Sequence, residues 1–203
     1  MSEPDDPKVR ILEVATRLFA ARGFDGVSIQ AVADAVGMRG PSVLYHYRTK
    51  ELLRDAVLAK LLGHWKDDLP RVLAAAQSGG DRLDGALRAM LGFFGDDPDR
   101  ARLLLRELLD RPGPMRAVLA EQLQPWTRLV TDYVRIGQAE GRVRSDLDPE
   151  AYVLQMITAG IGTIATGDVV SAMFGPDKAP SRDAEVRELV RIARVALFNP
   201  RPE

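Results

Sequence analysis

Cysteine is absent from the 203-residue chain, and histidine occurs only twice. Without thiols, the chain forms no disulfide framework, cysteine nucleophile or thiolate-bound zinc site. His46 and His64 are too few for a histidine-rich metal centre, so we expect no metal site and no cofactor. A chain of this length can bury a substantial core without such cross-links.

Signals for export and membrane insertion are also missing. The acidic start, MSEPDDPK, has no apolar run behind a basic segment, which a secretory signal would have. No uninterrupted apolar stretch approaches the roughly 20 residues that a membrane span needs. We therefore expect a cytoplasmic protein with no membrane partner.

An excess of positive charge is missing as well. The chain has 28 basic and 29 acidic side chains and a net charge of -1. Such a molecule does not coat nucleic acid non-specifically, so any contact with DNA has to be local. Residues 38–50 carry Arg39, Arg48 and Lys50 and no acid. A basic footprint of this size favours a specific, salt-sensitive contact with a few phosphates.

Every long segment has the apolar spacing of a helix, and none alternates with the period of a strand, so the sequence predicts an all-α fold. Asp6, Ser28 and Thr49 are expected N-caps, and Gly23 and Gly37 are expected helix ends. Further helices are expected over 83–94, 99–109, 115–140, 151–174 and 182–198, with residues 111–114 as a terminator and a break or kink near Pro125.

The stretch from Ser28 to Lys50 reads SIQAVADAVGMRGPSVLYHYRTK. It contains two short helical patterns joined at Gly37, and the second carries polar and aromatic residues where a buried helix would be apolar. This pattern indicates a helix-turn-helix. The residues expected to face inward are Ile29, Val32, Val36, Val43, Leu44 and Tyr47. The residues expected to contact DNA are Ser28, Gln30, Arg39, Gly40, Pro41, Ser42, Tyr45, His46 and Lys50.

The chemistry of these side chains suits a DNA groove. Arg39 can donate two bonds to guanine or bind a phosphate, Ser42 can bond a base edge, and Pro41 suits a thymine methyl group. The helix start at Ser28 favours a phosphate. Structural roles stay open: Ser28 is first a helix cap, and His46 also fits an ordinary surface position.

The set Gly23-Phe24, Ser28, Val32-Ala33, Gly37, Pro41-Ser42, Tyr45-His46-Tyr47 and Thr49-Lys50-Glu51-Leu52-Leu53 resembles the N-terminal signature of the TetR family of transcriptional repressors. The resemblance covers roughly residues 8–55. It implies an Ω-shaped, all-α homodimer with an N-terminal three-helix DNA-binding domain and a C-terminal domain that binds an inducer and dimerises. Leu44 stands where the family commonly has a phosphate-binding tyrosine, and Gly40 replaces a longer side chain often used for base readout.

We place the helix-turn-helix DNA-binding domain at 1–53 and a helical effector-binding and dimerisation bundle at 54–203; the alternative is one continuous bundle. Residues 55–203 contain no P-loop, G-x-S-x-G or H-E-x-x-H motif, so we expect no enzyme. Large apolar residues there are predicted to line a pocket for a small, largely apolar effector, although each also fits an ordinary core. They are Trp65, Met90, Phe94, Leu104, Leu108, Trp126, Tyr133 and Met156.

Self-association is expected through the last two long helices. The helix over 151–174 has apolar or small residues on more than one side, and paired with 182–198 across a two-fold axis it would form a four-helix interface. The sequence therefore favours a homodimeric, effector-controlled repressor of a palindromic double-stranded DNA operator. The alternatives are a constitutive DNA-binding regulator without an effector and a small-molecule-binding or scaffold protein that retains the fold.

Overall fold

The computed structural model describes residues 6–75, 79–175 and 177–199, without the side chains of 65–70, 72–73, 75 and 79–81. Over this part of the chain the fold is all-α, as predicted, and has one isolated bridge between Val143 and Phe198. The helices are α1 (Pro7–Arg22), α2 (Ile29–Val36), α3 (Gly40–His46), α4 (Lys50–Ala75), α5 (Gly79–Asp96), α6 (Pro98–Asp110), α7 (Pro112–Gln122), α8 (Gln124–Ala139), α9 (Pro149–Val170) and α10 (Arg182–Leu197). A 3-10 turn, Ser171–Phe174, continues α9.

Local capping fixes where the N-terminal helices begin and end. The side chains of Asp6, Ser28 and Thr49 each accept a backbone N–H two or three residues further on, which confirms all three predicted caps. Gly37 ends α2 with a φ of 78°, a left-handed conformation that favours glycine. The turn between α2 and α3 is therefore set by the local sequence.

The sequence predicts a helix over 115–140 with a break or kink near Pro125, and the structure confirms the break. Two helices occur there, α7 and α8, with Leu123 between them. Pro112 and Pro125 lie in their first turns, where the missing N–H of proline costs no hydrogen bond. Residues 111–114 follow the end of α6 at Asp110, as predicted, but the next helix begins at Pro112 and not at Met115.

The first core lies among α1, α2, α3 and the beginning of α4. Phe19, Val43 and Leu53 are fully buried in it. Leu103 of α6 packs into the same core and is only 1% exposed. The N-terminal helices are thus completed by a leucine that lies 50 residues beyond the predicted domain boundary at 53.

A second and larger core joins α4, α5, α6, α7, α9 and α10. Its buried residues include Leu62, Phe94, Leu104, Met115 and Ile164. A smaller third cluster lies where α8, α9 and α10 meet, and there the Tyr152 hydroxyl donates to the backbone oxygen of Ala193 at 2.9 Å. These two cores hold the C-terminal helices together.

Helix α9 exposes much of its apolar surface. Together with the 3-10 turn it is long and apolar enough, by length and composition, to cross a membrane, which the sequence analysis did not expect. A single such helix is weak support for a span, because core helices of soluble proteins pass the same test. Only 28% of its most apolar 18-residue window is buried in this chain. Most of this apolar window is therefore exposed in the single chain, and neither the core nor a membrane span accounts for that exposure.

Candidate nucleic-acid interface and effector cavities

Helices α2 and α3 pack through their inner faces and leave an outer face to solvent. Val32, Val36 and Val43 are buried between them. Of the predicted DNA contacts, Ser28, Gln30, Arg39, Pro41 and Tyr45 are exposed, Ser42, His46 and Lys50 are half-buried, and Gly40 is buried. With the exception of Gly40, the predicted set therefore keeps side-chain surface that a partner can reach.

Two arginines of this face have no ion-pair partner among the described residues. Arg39 and Arg48 are exposed, and no described carboxylate lies within ion-pair distance of either. The nearby carboxylate of Asp34 instead accepts a 2.6 Å hydrogen bond from Nε2 of Gln30. Two uncompensated guanidinium groups at the start and just past the end of α3 make this face locally positive.

Tyr45 projects from α3 with 85% of its surface exposed. Its ring meets the His46 ring edge-on, with the ring centroids 5.4 Å apart. Nδ1 of His46 is buried and has no hydrogen-bond partner in the described residues. Tyr45 thus contributes little to the core, and its phenol is available to a ligand or partner.

Gly40 positions a neighbour. A Cβ at this position would lie 2.8 Å from Oε1 of Gln30, closer than real Cβ contacts. The glycine therefore lets the Gln30 carboxamide lie against the start of α3. Gly40 has no side chain to offer DNA, and its burial gives it a supporting place in this surface.

Leu44 was predicted to face the core, and this is wrong. It is 40% exposed, whereas its neighbour Val43 is fully buried. Successive helical residues are about 100° apart, so a helix centred inward on Val43 turns Leu44 toward solvent. Tyr47 is half-buried against the first core, and burial raises the pKa of its hydroxyl.

A charged joint connects this unit to α6. The Phe24 ring has three cations over it: Nζ of Lys50 at 4.2 Å, the guanidinium of Arg54 at 5.0 Å and that of Arg111 at 5.1 Å. Glu107 is buried nearby; burial raises the pKa of its carboxyl, and Arg54 and Arg111 oppose that rise. The joint therefore holds a carboxyl that is costly to ionise.

Replacing that carboxyl by an amide is expected to stabilise the protein at neutral pH. The pKa of Glu107 is higher in the folded protein than in the unfolded chain. The contribution of Glu107 to the free energy of unfolding is therefore fully present below the unfolded pKa and is lost as the pH rises through the folded pKa. Glu107→Gln should therefore raise the melting temperature at pH 7.5 and leave it unchanged near pH 4.

Thermal unfolding followed by circular dichroism between pH 4 and 8 measures this difference. Glu121→Gln, at an exposed carboxylate on α7, is the matched control and should change little at any pH. A lower melting temperature for Glu107→Gln at pH 7.5 would mean that attraction to Arg54 and Arg111 outweighs burial.

Two adjoining cavities, both partly open to solvent, lie among the C-terminal helices. The inner one, about 60 Å³, lies among α5, α8 and α9, and the outer one, about 210 Å³, lies among α5, α8 and α10. Met90, Trp126 and Met156 line the inner cavity, and Tyr133 lines the outer one.

The other predicted pocket residues do not line these two cavities. Phe94 and Leu104 are buried in the second core, and Leu108 packs against it, so the structure uses them for packing. The side chain of Trp65 lies outside the described residues. Some of the residues predicted to line a pocket thus line a cavity, and others belong to the core.

A larger and more open cavity, about 730 Å³, lies between α1 and helices α4, α5 and α6. Charged side chains from all four helices line it, including Glu13, Lys60, Arg88 and Arg100. The His64 ring stacks on Phe93 within it, with the centroids 4.1 Å apart. Sequence reasoning missed this cavity because its walls come from distant segments without a shared motif.

Two family models match the chain. The model described as bacterial regulatory proteins, tetR family, matches residues 11–57. The model described as the tetracyclin repressor-like C-terminal domain matches residues 104–172. The two matches together cover more than half of the chain, and they include α2, α3 and the whole of α9.

Solved structures share the fold over nearly the whole chain. The ketosteroid transcriptional regulator KstR2 of Mycobacterium tuberculosis has a TM-score of 0.79 at 17% identity, with 98% of each chain covered. A bacterial regulatory protein in the tetR family from Rhodococcus RHA1 has a TM-score of 0.70 at 21% identity, covering 97% of this chain and 100% of that one. The fatty acid degradation regulator FadR of Bacillus halodurans has a TM-score of 0.72 at 14% identity, covering 95% and 96%.

These matches agree with the geometry of α2 and α3. The helix-turn-helix lies inside the first matched segment, and the second spans residues of α6 through α9 and the start of the 3-10 turn. The chain belongs to the TetR family of bacterial transcriptional regulators.

Proposed function

We propose that the chain is a ligand-responsive repressor, which binds a palindromic operator as a homodimer and is released by a small, largely apolar effector. Family membership makes it a DNA-binding transcriptional regulator and not an enzyme. The observation that carries the DNA-binding part of the proposal is the outer face of α3, which has an 85% exposed tyrosine and, at its two ends, arginines without an ion-pair partner among the described residues. Such a face suits a groove lined with phosphates and base edges.

The DNA-facing residues divide by chemistry. Arg39, Ser42 and Gln30 carry the hydrogen-bonding groups that read base edges, and Pro41 offers an apolar contact to thymine. Tyr45 and His46 bond a phosphate or a base. Ser28, at the start of α2, and Lys50, at the start of α4, face the backbone of the duplex, where a helix N-terminus or a cation binds phosphate.

The dimer forms through α9 and α10. Leu154, Thr158, Val169 and Met173 are exposed on α9 and its 3-10 turn at a helical spacing and without an intervening charge on that face. A contiguous apolar surface of this kind marks an interaction site. Across a two-fold axis these helices form a four-helix interface, which presents two copies of α3 to a palindrome.

Effector control requires different affinities for two states of the dimer. The cavities adjoin α5 and α9, and α6 connects the C-terminal helices to the first core through Leu103 and to α4 through the joint at Glu107. An effector that shifts α5 or α6 therefore acts on the orientation of α4 and of the helix-turn-helix. A change in the spacing of the two α3 helices lowers the affinity for the operator.

Fluorescence anisotropy with labelled duplexes from upstream of the gene itself tests the DNA claim. We expect sequence-specific binding that weakens steeply between about 50 and 200 mM salt, because contacts with phosphates are salt-sensitive. Arg39→Ala should lower the affinity by about tenfold or more, because a bidentate base contact contributes ~1–3 kcal/mol.

Arg116→Ala is the matched control, since this exposed arginine lies on α7, outside the helix-turn-helix and outside α9 and α10. It should bind the operator as the unchanged protein does. Salt-independent or sequence-independent binding would contradict the proposal. Specific binding without any ligand dependence would favour a constitutive regulator, and a dimer that ignores DNA would favour a scaffold or small-molecule-binding protein.

A further inference from the structure

The two adjoining C-terminal cavities differ in polarity. We infer that together they take an amphipathic organic carboxylate, whose apolar chain enters the inner cavity while its carboxylate binds Arg82 in the outer one. The inference rests on the effector function proposed above, and it names the chemical class of the effector.

The cavities share part of their walls. Leu83 and Ala86 of α5 and Val130 of α8 line both of them. A ligand that moves these side chains aside can therefore occupy both cavities. One cavity lies among the core helices, and the other lies beside Arg82.

The inner end suits an apolar chain. Its lining is made of aliphatic, methionine and aromatic side chains, with no charged group. The hydroxyl of Tyr152, on this wall, is already used by the backbone oxygen of Ala193. A charged head group placed here would lose its hydration without compensation. Met90 and Met156 are unbranched and flexible, so the inner cavity can adapt to chains longer than its volume of about 60 Å³ suggests.

The outer end carries the charges. Arg142 and Glu140 line it and are paired with each other. Arg82 lies over the Tyr133 ring, with its guanidinium carbon 4.9 Å from the centroid, and no described carboxylate is within ion-pair distance. Its Nε is buried and has no hydrogen-bond partner among the described residues. Asp84, two residues further on, forms an ion pair with Arg194, whose Nη1 lies 2.6 Å from Oδ2 of Asp84.

A guanidinium on the wall of the outer cavity that has no carboxylate partner among the described residues selects an anion. The planar fork of arginine fits a carboxylate with two parallel hydrogen bonds. A neutral head group of the same size would accept fewer bonds and would leave the cation uncompensated. The combination therefore favours a carboxylate over an alcohol with the same chain.

Isothermal titration calorimetry with the full-length protein tests this selectivity. The probes are the straight-chain carboxylates hexanoate, octanoate and decanoate and the primary alcohols of equal length. We expect each carboxylate to bind about tenfold or more tightly than its alcohol, since hydrogen bonds to charged groups are the strong ones. Arg82→Gln should abolish that preference and leave the alcohols unchanged, whereas Arg82→Lys, which keeps the charge, should retain part of it.

Two further variants separate a specific site from a general effect. Arg116→Gln makes the same change of charge at an exposed position of α7, away from both cavities, and should bind every probe as the unchanged protein does. Ala86→Leu places a larger side chain where the two cavities share a wall. It should therefore weaken the binding of decanoate more than the binding of hexanoate. Circular dichroism and the operator affinity of the ligand-free variants check that the fold is kept.

The inference is overturned if carboxylates and alcohols bind equally, if Arg82→Gln weakens both alike, or if no probe binds. These titrations contain the protein and the probe but no DNA. Failure of the repressor function would appear separately, as absence of specific operator binding by the ligand-free protein, so the two outcomes cannot be confused.

Discussion

Replacing Leu103 by alanine is expected to lower the free energy of unfolding by about 2–5 kcal/mol, as truncations of buried leucines do. The side chain is 1% exposed and packs among Phe19, Val57 and their neighbours in the first core, although it belongs to α6. Its loss leaves a cavity where α6 meets the N-terminal helices. Urea unfolding followed by circular dichroism measures the change, and the same variant should bind the operator more weakly because the orientation of α3 becomes less well defined.

Leu109→Ala is the matched control. Leu109 lies on the same helix but is 75% exposed, so its truncation should change the stability by no more than about 0.5 kcal/mol. Equal losses in the two variants would mean that the effect comes from the helix propensity of α6 and not from packing against the first core. An unchanged stability for Leu103→Ala would contradict the shared core itself.

The second large effect is expected from a charge on the exposed face of α9. Val169→Glu places a carboxylate on a residue that is 77% exposed in the single chain and is proposed to be buried in the dimer. Burying an unpaired charge in an apolar interface costs several kcal/mol, so the dissociation constant of the dimer should rise by about 100-fold or more. Analytical ultracentrifugation over a range of protein concentrations measures it.

Leu109→Glu is the control for that variant. The same carboxylate then stands on an equally exposed apolar position of α6, outside the proposed interface, and the dimer should persist. Loss of the dimer in both variants would indicate general destabilisation. A dimer unaffected by Val169→Glu would exclude this part of α9 from the interface, and operator binding should fall only where the dimer is lost.

The features that the sequence predicted correctly are those with local causes. Ser28 and Thr49 are caps because an oxygen two or three residues before a free N–H needs no tertiary contact to bond it. Gly37 ends α2 because its conformation is left-handed. The all-α class follows in the same way from the period of the apolar residues.

The misses have causes that lie outside the local sequence. A proline after one helix is compatible with a loop or with the first turn of the next helix, and at Pro112 the second possibility holds. A seven-residue helix is too short for its period to define the inner face, so Leu44 was assigned to the wrong side. The tertiary packing determines which of the predicted pocket residues line a cavity. Phe94 fills the core whereas Met156 lines a cavity, although both are large and apolar.

The position of Leu103 also limits how this regulator can be recombined with others. A chimera cut after residue 53 would transplant the helix-turn-helix without the α6 leucine that completes its core. Grafting residues 1–53 onto a foreign effector domain therefore calls for the recipient's α6 to present a leucine-sized side chain at the matching place. The operator specificity of this chain is portable only together with that part of α6.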